Sequence, residues 1–302
     1  MSRRMVAATV LPLLVMPLLA GCGSSSAGSG AALRIVAGQN FWGSIAGQLA
    51  GSHGKVQSVV TDPNADPHEY ASSTSDARAF ADANIVILNG AGYDDWGKKL
   101  LDANPASSRK VLTVADLLGK KAGDNAHFWY DPAKVVKVAD KITELYQSQD
   151  SADADYFSRQ RSAFADALKP YQARIAEIKQ KYSGVAVGAT ESIFEYLANA
   201  LGLNLISPPE FMKAVAEGND PPADAFARFQ DQVTQKQIKV LVYNVQSATL
   251  VTTNIKKTAT DQGTPVVGVS ETMQPESTTF QEWQLAQLLQ LENALNAEAL
   301  VK

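Results

Sequence analysis

The stretch "DADYFSRQRSAFADALKPYQARIAEIKQKY", residues 153–182, separates two segments of similar make-up. It contains no strand-like run, and as one helix its 30 or so residues span ~45 Å at 1.5 Å per residue. Pro170 is predicted to kink or break it, because proline lacks the N–H for an interior helical bond. On both sides, short Val/Ile/Leu-rich runs alternate with helical stretches. Before it come "LRIVAG" (33–38), "VQSVV" (56–60), "NIVILNG" (84–90) and "KVLTV" (110–114). After it come "SGVAVGAT" (183–190), "LNLIS" (203–207), "IKVLVYN" (238–244) and "TPVVGVS" (264–270). The interleaved "FWGSIAGQLAG" (41–51) and "SDARAFADA" (75–83) carry helical spacing. Such alternation implies mostly parallel sheets flanked by helices. The expected fold class is therefore α/β: two lobes joined by one long spine helix, with a cleft between them.

Other punctuation agrees. In "DPAKVVKVADKITELYQSQ" (131–149), Asp131 stands as N-cap and Pro132 at the first helical position. The final "TFQEWQLAQLLQLENALNA" (279–297) reads as an amphipathic helix, its stripe formed by Leu285, Leu288, Leu289, Leu291 and Leu295. Glu292 falls within that stripe and Trp283 off it. The expected organisation is a signal peptide at 1–21, a tether at 22–32, a first lobe at 33–152, the spine at 153–182 and a second lobe at 183–302.

The N-terminus suggests an address. Arg3 and Arg4 precede the apolar "MVAATVLPLLVMPLLA" (5–20), a charged start and short hydrophobic run of the secretion-signal kind. "LAGC" (19–22) looks like a bacterial lipobox, with cleavage before Cys22 and acylation there. Cys22 is the only cysteine, so no intrachain disulfide forms. "GSSSAGSGAA" (23–32) follows as a flexible leash. The chain is then expected at the outer face of the cell membrane, lipid-anchored. With net charge −4 and no dense Lys/Arg run, nucleic-acid binding is excluded as an expectation.

Ligands of open α/β sheets bind beyond the carboxyl ends of the strands. Asp62, Asp66, His68 and Glu69 follow the run at 56–60, Glu191 follows 183–190, and Glu271 follows 264–270. His127 stands in "NAHFWYDP" (125–132), just before a helix. Two imidazoles and two carboxylates in one cleft would hold a divalent metal. Each has a plainer reading. His68 fits a solvated loop, His127 a hydrogen-bonded interior position, Glu191 a first-turn acid at a helix N-terminus, and Glu271 a turn residue. His53, in "GSHGK", reads as surface.

These segments resemble the cluster A-I substrate-binding proteins, bacterial metal-binding lipoproteins that serve ABC importers for zinc, manganese or iron. "PNADPHEYASS" (63–73) is similar to the family's P-x-A-D-P-H-x-Y-E loop and places a ligand at His68. "NAHFWYDP" resembles D-P-H-x-W-L-D-P, with Asn125 and Ala126 in place of Asp-Pro, and carries over His127. "TESIFEYLANALGL" (190–203) puts Glu191 five residues before Tyr196, as in the third motif. In "GVSETM" (268–273), Glu271 stands where the family has aspartate. "DLLGKKAGDNA" (116–126) lacks the His-rich loop frequent in zinc importers.

The resemblance implies a monomeric, non-enzymatic carrier that delivers a divalent transition metal (Mn²⁺, Fe²⁺ or Zn²⁺) to an ABC permease, with no organic cofactor. Glutamate at the third position, and a donor set harder than three imidazoles, favour manganese or ferrous iron, with zinc close behind. Two other classes fit the lobed pattern: a carrier of an organic solute such as a siderophore or vitamin, and a secreted metalloenzyme. The sequence contains neither HExxH nor GxSxG to support the enzyme.

Overall fold

A computed structural model describes residues 32–64 and 70–299. The signal and tether segments, Cys22 and His68 lie outside the described residues. In chain order the elements are β1 (Leu33–Gln39), α1 (Asn40–Ala50), β2 (Gly54–Val60), α2 (Thr74–Asp82), β3 (Ile85–Leu88), α3 (Asp95–Ala103), β4 (Lys110–Thr113), α4 (Val114–Leu117), α5 (Pro132–Gln149) and α6 (Ala154–Tyr182). There follow β5 (Ala186–Ala189), α7 (Glu195–Ala200), β6 (Asn204–Leu205), α8 (Pro209–Ala216), α9 (Ala223–Thr234), β7 (Leu241–Asn244), α10 (Leu250–Asp261), β8 (Val266–Val269) and α11 (Phe280–Ala299).

The strands form two four-stranded sheets, ordered β2-β1-β3-β4 and β6-β5-β7-β8, and every pairing is parallel. The two orders are equivalent. In each half the chain starts on an inner strand, lays its second strand on one side and its third and fourth on the other. That reversal leaves a crevice between β1 and β3 in the first sheet and between β5 and β7 in the second. β3 and β7 are buried at all four positions, as strands covered on both faces must be. One core runs continuously from β1 and α1 through α5 and α6 to the second sheet; a smaller one, with Phe80 and Trp96, fills the other face of the first sheet.

α6 is the expected spine. It buries Phe157, Phe164, Leu168, Tyr171, Ile178 and Tyr182 along one face. The expectation of a break fails at Pro170, which is exposed and lies inside an uninterrupted helix. The missing N–H costs one bond, while packed residues on either side, Leu168 and Tyr171 among them, hold the helix together there. α11 runs beside α6, with Arg174 2.8 Å from Glu292 and Lys181 donating to Asn296 at 2.7 Å. It also reaches back to α1 through the Gln48–Gln281 side-chain pair. Because it is enclosed from several sides, its buried face differs from the expected stripe: Trp283 is buried against Tyr130 and Phe280, whereas Leu289 is exposed. The halves are also clasped directly. Asn40 donates from Nδ2 to the Met273 carbonyl and accepts from the Met273 N–H, each at 3.0 Å, in a buried setting.

His53 is not a plain surface residue. It is half-buried, stacks on Tyr156 at 3.8 Å and pairs through Nδ1 with Asp153 at 2.9 Å. Among the described residues no helix is long and apolar enough to cross a membrane.

Candidate metal centre

His127 is delivered by a loop rather than a strand. The next three residues, Phe128, Trp129 and Tyr130, form a 3-10 turn and are fully buried. Trp129 stacks on Phe41 at 3.9 Å, and the Asp131 carboxylate caps α5 by accepting from Ala133 and Lys134 N–H. Asn89, just past β3, donates to the Ala126 carbonyl at 2.9 Å and accepts from the Trp42 indole at 3.0 Å. The histidine is thus held inside by aromatic packing on one side and an amide clamp on the other. Its Nδ1 lies 2.9 Å from Asn125 Oδ1, which also accepts the His127 backbone N–H at 3.0 Å. An amide oxygen only accepts, so Nδ1 donates to it, and Nε2 is the ring nitrogen turned toward Glu191.

The second half supplies two carboxylates from strand ends. Glu191 follows β5 by two residues and Glu271 follows β8 by two residues; both are buried. Glu191 stands at the N-cap position of a 3-10 turn, yet its side chain makes no capping bond. The first-turn reading of that residue therefore does not hold: the carboxylate turns into the cleft. His127 Nε2 lies 3.1 Å from Glu191 Oε1 and 3.9 Å from Glu271 Oε2. Ligand atoms of the three side chains all fall within 4.8 Å of one another. Two carboxylates beside one imidazole in a buried place carry negative charge that a divalent cation could offset. Asp62, also considered from the sequence, does not join them. It is exposed and accepts from Asn64 in a local turn.

Several supporting residues escaped the sequence reading. Tyr93 Oη donates to Glu271 Oε2 at 2.6 Å. Burial and the adjacent Glu271 push its pKa well above the usual tyrosine value, so it remains a donor. Asn244, the last residue of β7, donates from Nδ2 to Glu271 Oε1 at 2.8 Å and to Glu191 Oε2. Ser247 Oγ donates to Glu191 Oε2 at 3.2 Å. Gln246 Oε1 accepts the backbone N–H of Glu271 and of Thr272, at 2.7 and 2.8 Å, fixing the loop past β8. Asn125 spans the halves, donating to the Ser192 carbonyl at 2.8 Å and to Glu195 Oε2 at 2.9 Å. Asn244 ends β7 and Tyr93 follows β3, so both lie near strand ends like the glutamates, but tyrosine and asparagine are not typical metal donors and carry no such signal in the sequence.

A cavity of about 740 Å³ opens beside the triad, lined by Tyr93, Asn125, His127, Tyr196 and Ser247 among others. Both halves contribute to its wall, and of the triad only His127 lines it.

Comparison with known proteins gives this geometry its context. Residues 35–294 match the family model described as ZnuA, zinc-uptake complex component A, periplasmic. The chain belongs to this family. The ZnuA-type, or cluster A-I, proteins are the non-enzymatic, metal-binding solute receptors of ABC importers, and this member is accordingly an extracytoplasmic binder of a divalent metal. The metalloenzyme alternative falls away.

Among relatives, the chain is 23% identical over 204 residues to the manganese-binding lipoprotein MntA of Halalkalibacterium halodurans, covering 64% of this chain and 67% of the relative. It is 25% identical over 168 residues to the iron-binding protein YfeA of Yersinia pestis, covering 52% and 53%. The periplasmic zinc-binding protein TroA of Treponema pallidum superposes with a TM-score of 0.73 at 14% identity, over 86% of this chain and 98% of that one. That likeness shows the fold: two parallel sheets flanked by helices and joined by a long one.

Proposed function

We propose that this ZnuA-family protein captures its metal with His68, His127, Glu191 and Glu271 and delivers it to the permease of a metal ABC importer. The observation that carries the reading is the buried convergence of His127, Glu191 and Glu271 from the two halves. His68 enters on the resemblance of "PNADPHEYASS" to the family loop and completes a set of two imidazoles and two carboxylates. Donor hardness puts Mn²⁺ and Fe²⁺ first and Zn²⁺ next. The relatives named for manganese, iron and zinc fit that range. Retention at the membrane falls to an acyl anchor on Cys22, with residues 23–32 as the leash. The clasp between Asn40 and Met273, the spine α6 and the return of α11 onto α1 support capture by small loop adjustments.

The test is elemental analysis of protein purified without added metal, followed by competitive titration with Mn²⁺, Fe²⁺ and Zn²⁺. The expected result is one metal per chain, lost in the His68→Ala/His127→Ala protein. Unchanged binding by that double variant would sink the ligand assignment.

A further inference from the structure

Ranking manganese and ferrous iron first supposes carboxylates free to offer both oxygens. Asn244 stands against that freedom. Its side chain is buried at the carboxyl end of β7, between the strands that carry Glu191 and Glu271. From one amide nitrogen it donates to Glu191 Oε2 and to Glu271 Oε1, the latter at 2.8 Å. The orientation of the amide is set from its other end, where Oδ1 accepts the Gln246 backbone N–H at 3.0 Å. A flipped amide would turn its oxygen toward two carboxylates and its nitrogen toward an N–H, so the assignment follows from its neighbours. Each glutamate therefore has one oxygen tied to Asn244. The other oxygens, Glu191 Oε1 and Glu271 Oε2, are those set toward His127 Nε2.

We propose that Asn244 determines the metal specificity of this site by holding both glutamates to a single metal-facing oxygen each. This rests on His127, Glu191 and Glu271 being ligands. One oxygen from each carboxylate keeps the number of donors low, as tetrahedral zinc requires. Manganese and ferrous iron prefer larger, oxygen-rich sets, which these glutamates reach by turning their second oxygens inward. Asn244 thus keeps zinc in competition at a site whose donor types lean the other way. Tyr93 acts in the same sense, since its hydroxyl fixes the rotation of the Glu271 carboxylate from the opposite side.

The experiment is a competition titration of the full chain with Zn²⁺ and Mn²⁺, comparing wild type with Asn244→Ala and the similarly sized Asn244→Leu. Removing a group that orients ligands is expected to shift the ratio of the two dissociation constants about tenfold toward manganese. Equal weakening for both metals would make Asn244 a structural residue and overturn the proposal. His127→Ala, run alongside, separates the two ideas: metal binding unaffected there defeats the ligand assignment rather than the role of Asn244. If both Asn244 variants lose their fold by circular dichroism, X-ray absorption on the zinc-loaded wild type decides. Four donors are expected, and a count of five or six would overturn the proposal.

Discussion

Among the described residues, one imidazole and two carboxylates meet at two places, and their surroundings differ. His127, Glu191 and Glu271 lie buried where the halves face each other; His53, Asp150 and Asp153 lie half-exposed at the junction of α1 with the start of α6. Side-chain chemistry is nearly the same in both. The surroundings are not. In the cleft, Asn125 orients His127, Asn244 bridges the carboxylates, and Tyr93 donates to Glu271. At the outer cluster, His53 Nδ1 is paired with Asp153, and the ring is stacked on Tyr156, whose hydroxyl also accepts the Ser52 N–H at 2.8 Å. That imidazole closes a helix junction. Donor identity alone does not set the role of such a cluster: the cleft adds burial and hydrogen-bonding neighbours that the outer cluster lacks.

The contrast can be broken at several points. His127→Ala should produce the largest change, a loss of metal affinity well beyond the about 10–100-fold typical of merely supporting residues. Calorimetric titration checks this, and near-normal affinity would erase the distinction between the clusters.

Asn40→Ala removes the buried clasp to Met273 and leaves the backbone N–H and carbonyl there without that partner. The expected loss of stability is roughly 2–4 kcal/mol, read from urea unfolding; a loss under about 1 kcal/mol would mean the spine alone fixes the two walls of the cleft.

Asp94 sharpens the comparison from the first wall. It accepts the N–H groups of Asn89 and Gly90 at 2.7 and 2.8 Å, immediately beside Tyr93. Burial outweighs those bonds and raises its pKa to about 6, from the ordinary 3.8. The folded state thus holds this proton to higher pH than the unfolded chain does. Its contribution to stability falls as pH rises from about 4 to 6, by roughly 2–3 kcal/mol in all. Unfolding of wild type and Asp94→Asn across that range should show their difference moving by this amount against the wild type. Parallel curves would show that Asp94 does not titrate there.

Asn125→Ala should cost about 10–100-fold in metal affinity with the fold retained, and Asn125→Asp should recover most of it by again accepting from Nδ1. No change in the alanine variant would mean that packing on Trp129 suffices to aim His127. The smallest effect is expected at the outer cluster. His53→Ala should change stability by under about 1 kcal/mol and leave the metal stoichiometry as it was. A lost equivalent of metal would place a second ion there.

Much of this was legible beforehand. Short apolar runs separated by helical spacing give parallel α/β halves because burial on both faces demands that composition. Asp131 followed by Pro132 marked the start of α5, since that pair satisfies a helix N-terminus whatever lies around it. Glu191, Glu271 and His127 could be singled out by their places at strand ends and before a helix. Elsewhere the local rule lost to the surroundings. Pro170 was expected to kink or break the helix, but the packed face of α6 continues through it without a break. Trp283 fell off the apolar stripe, but Tyr130 comes from the other half to cover it.

The sequence by itself determined which residues can form strands, caps and ligands, because those preferences are carried by the chain within a few residues. Tertiary structure alone decided that Glu191 turns inward instead of capping its helix, that Asn125 and Asn244 orient the donors, and that His53 is a structural imidazole while His127 faces the cleft. The reason is physical. Apart from the local bonds of Asn125 to His127 and of Asn244 to Gln246, burial and hydrogen-bond partners for these side chains come from segments tens to hundreds of residues away, and only the folded chain brings those segments together.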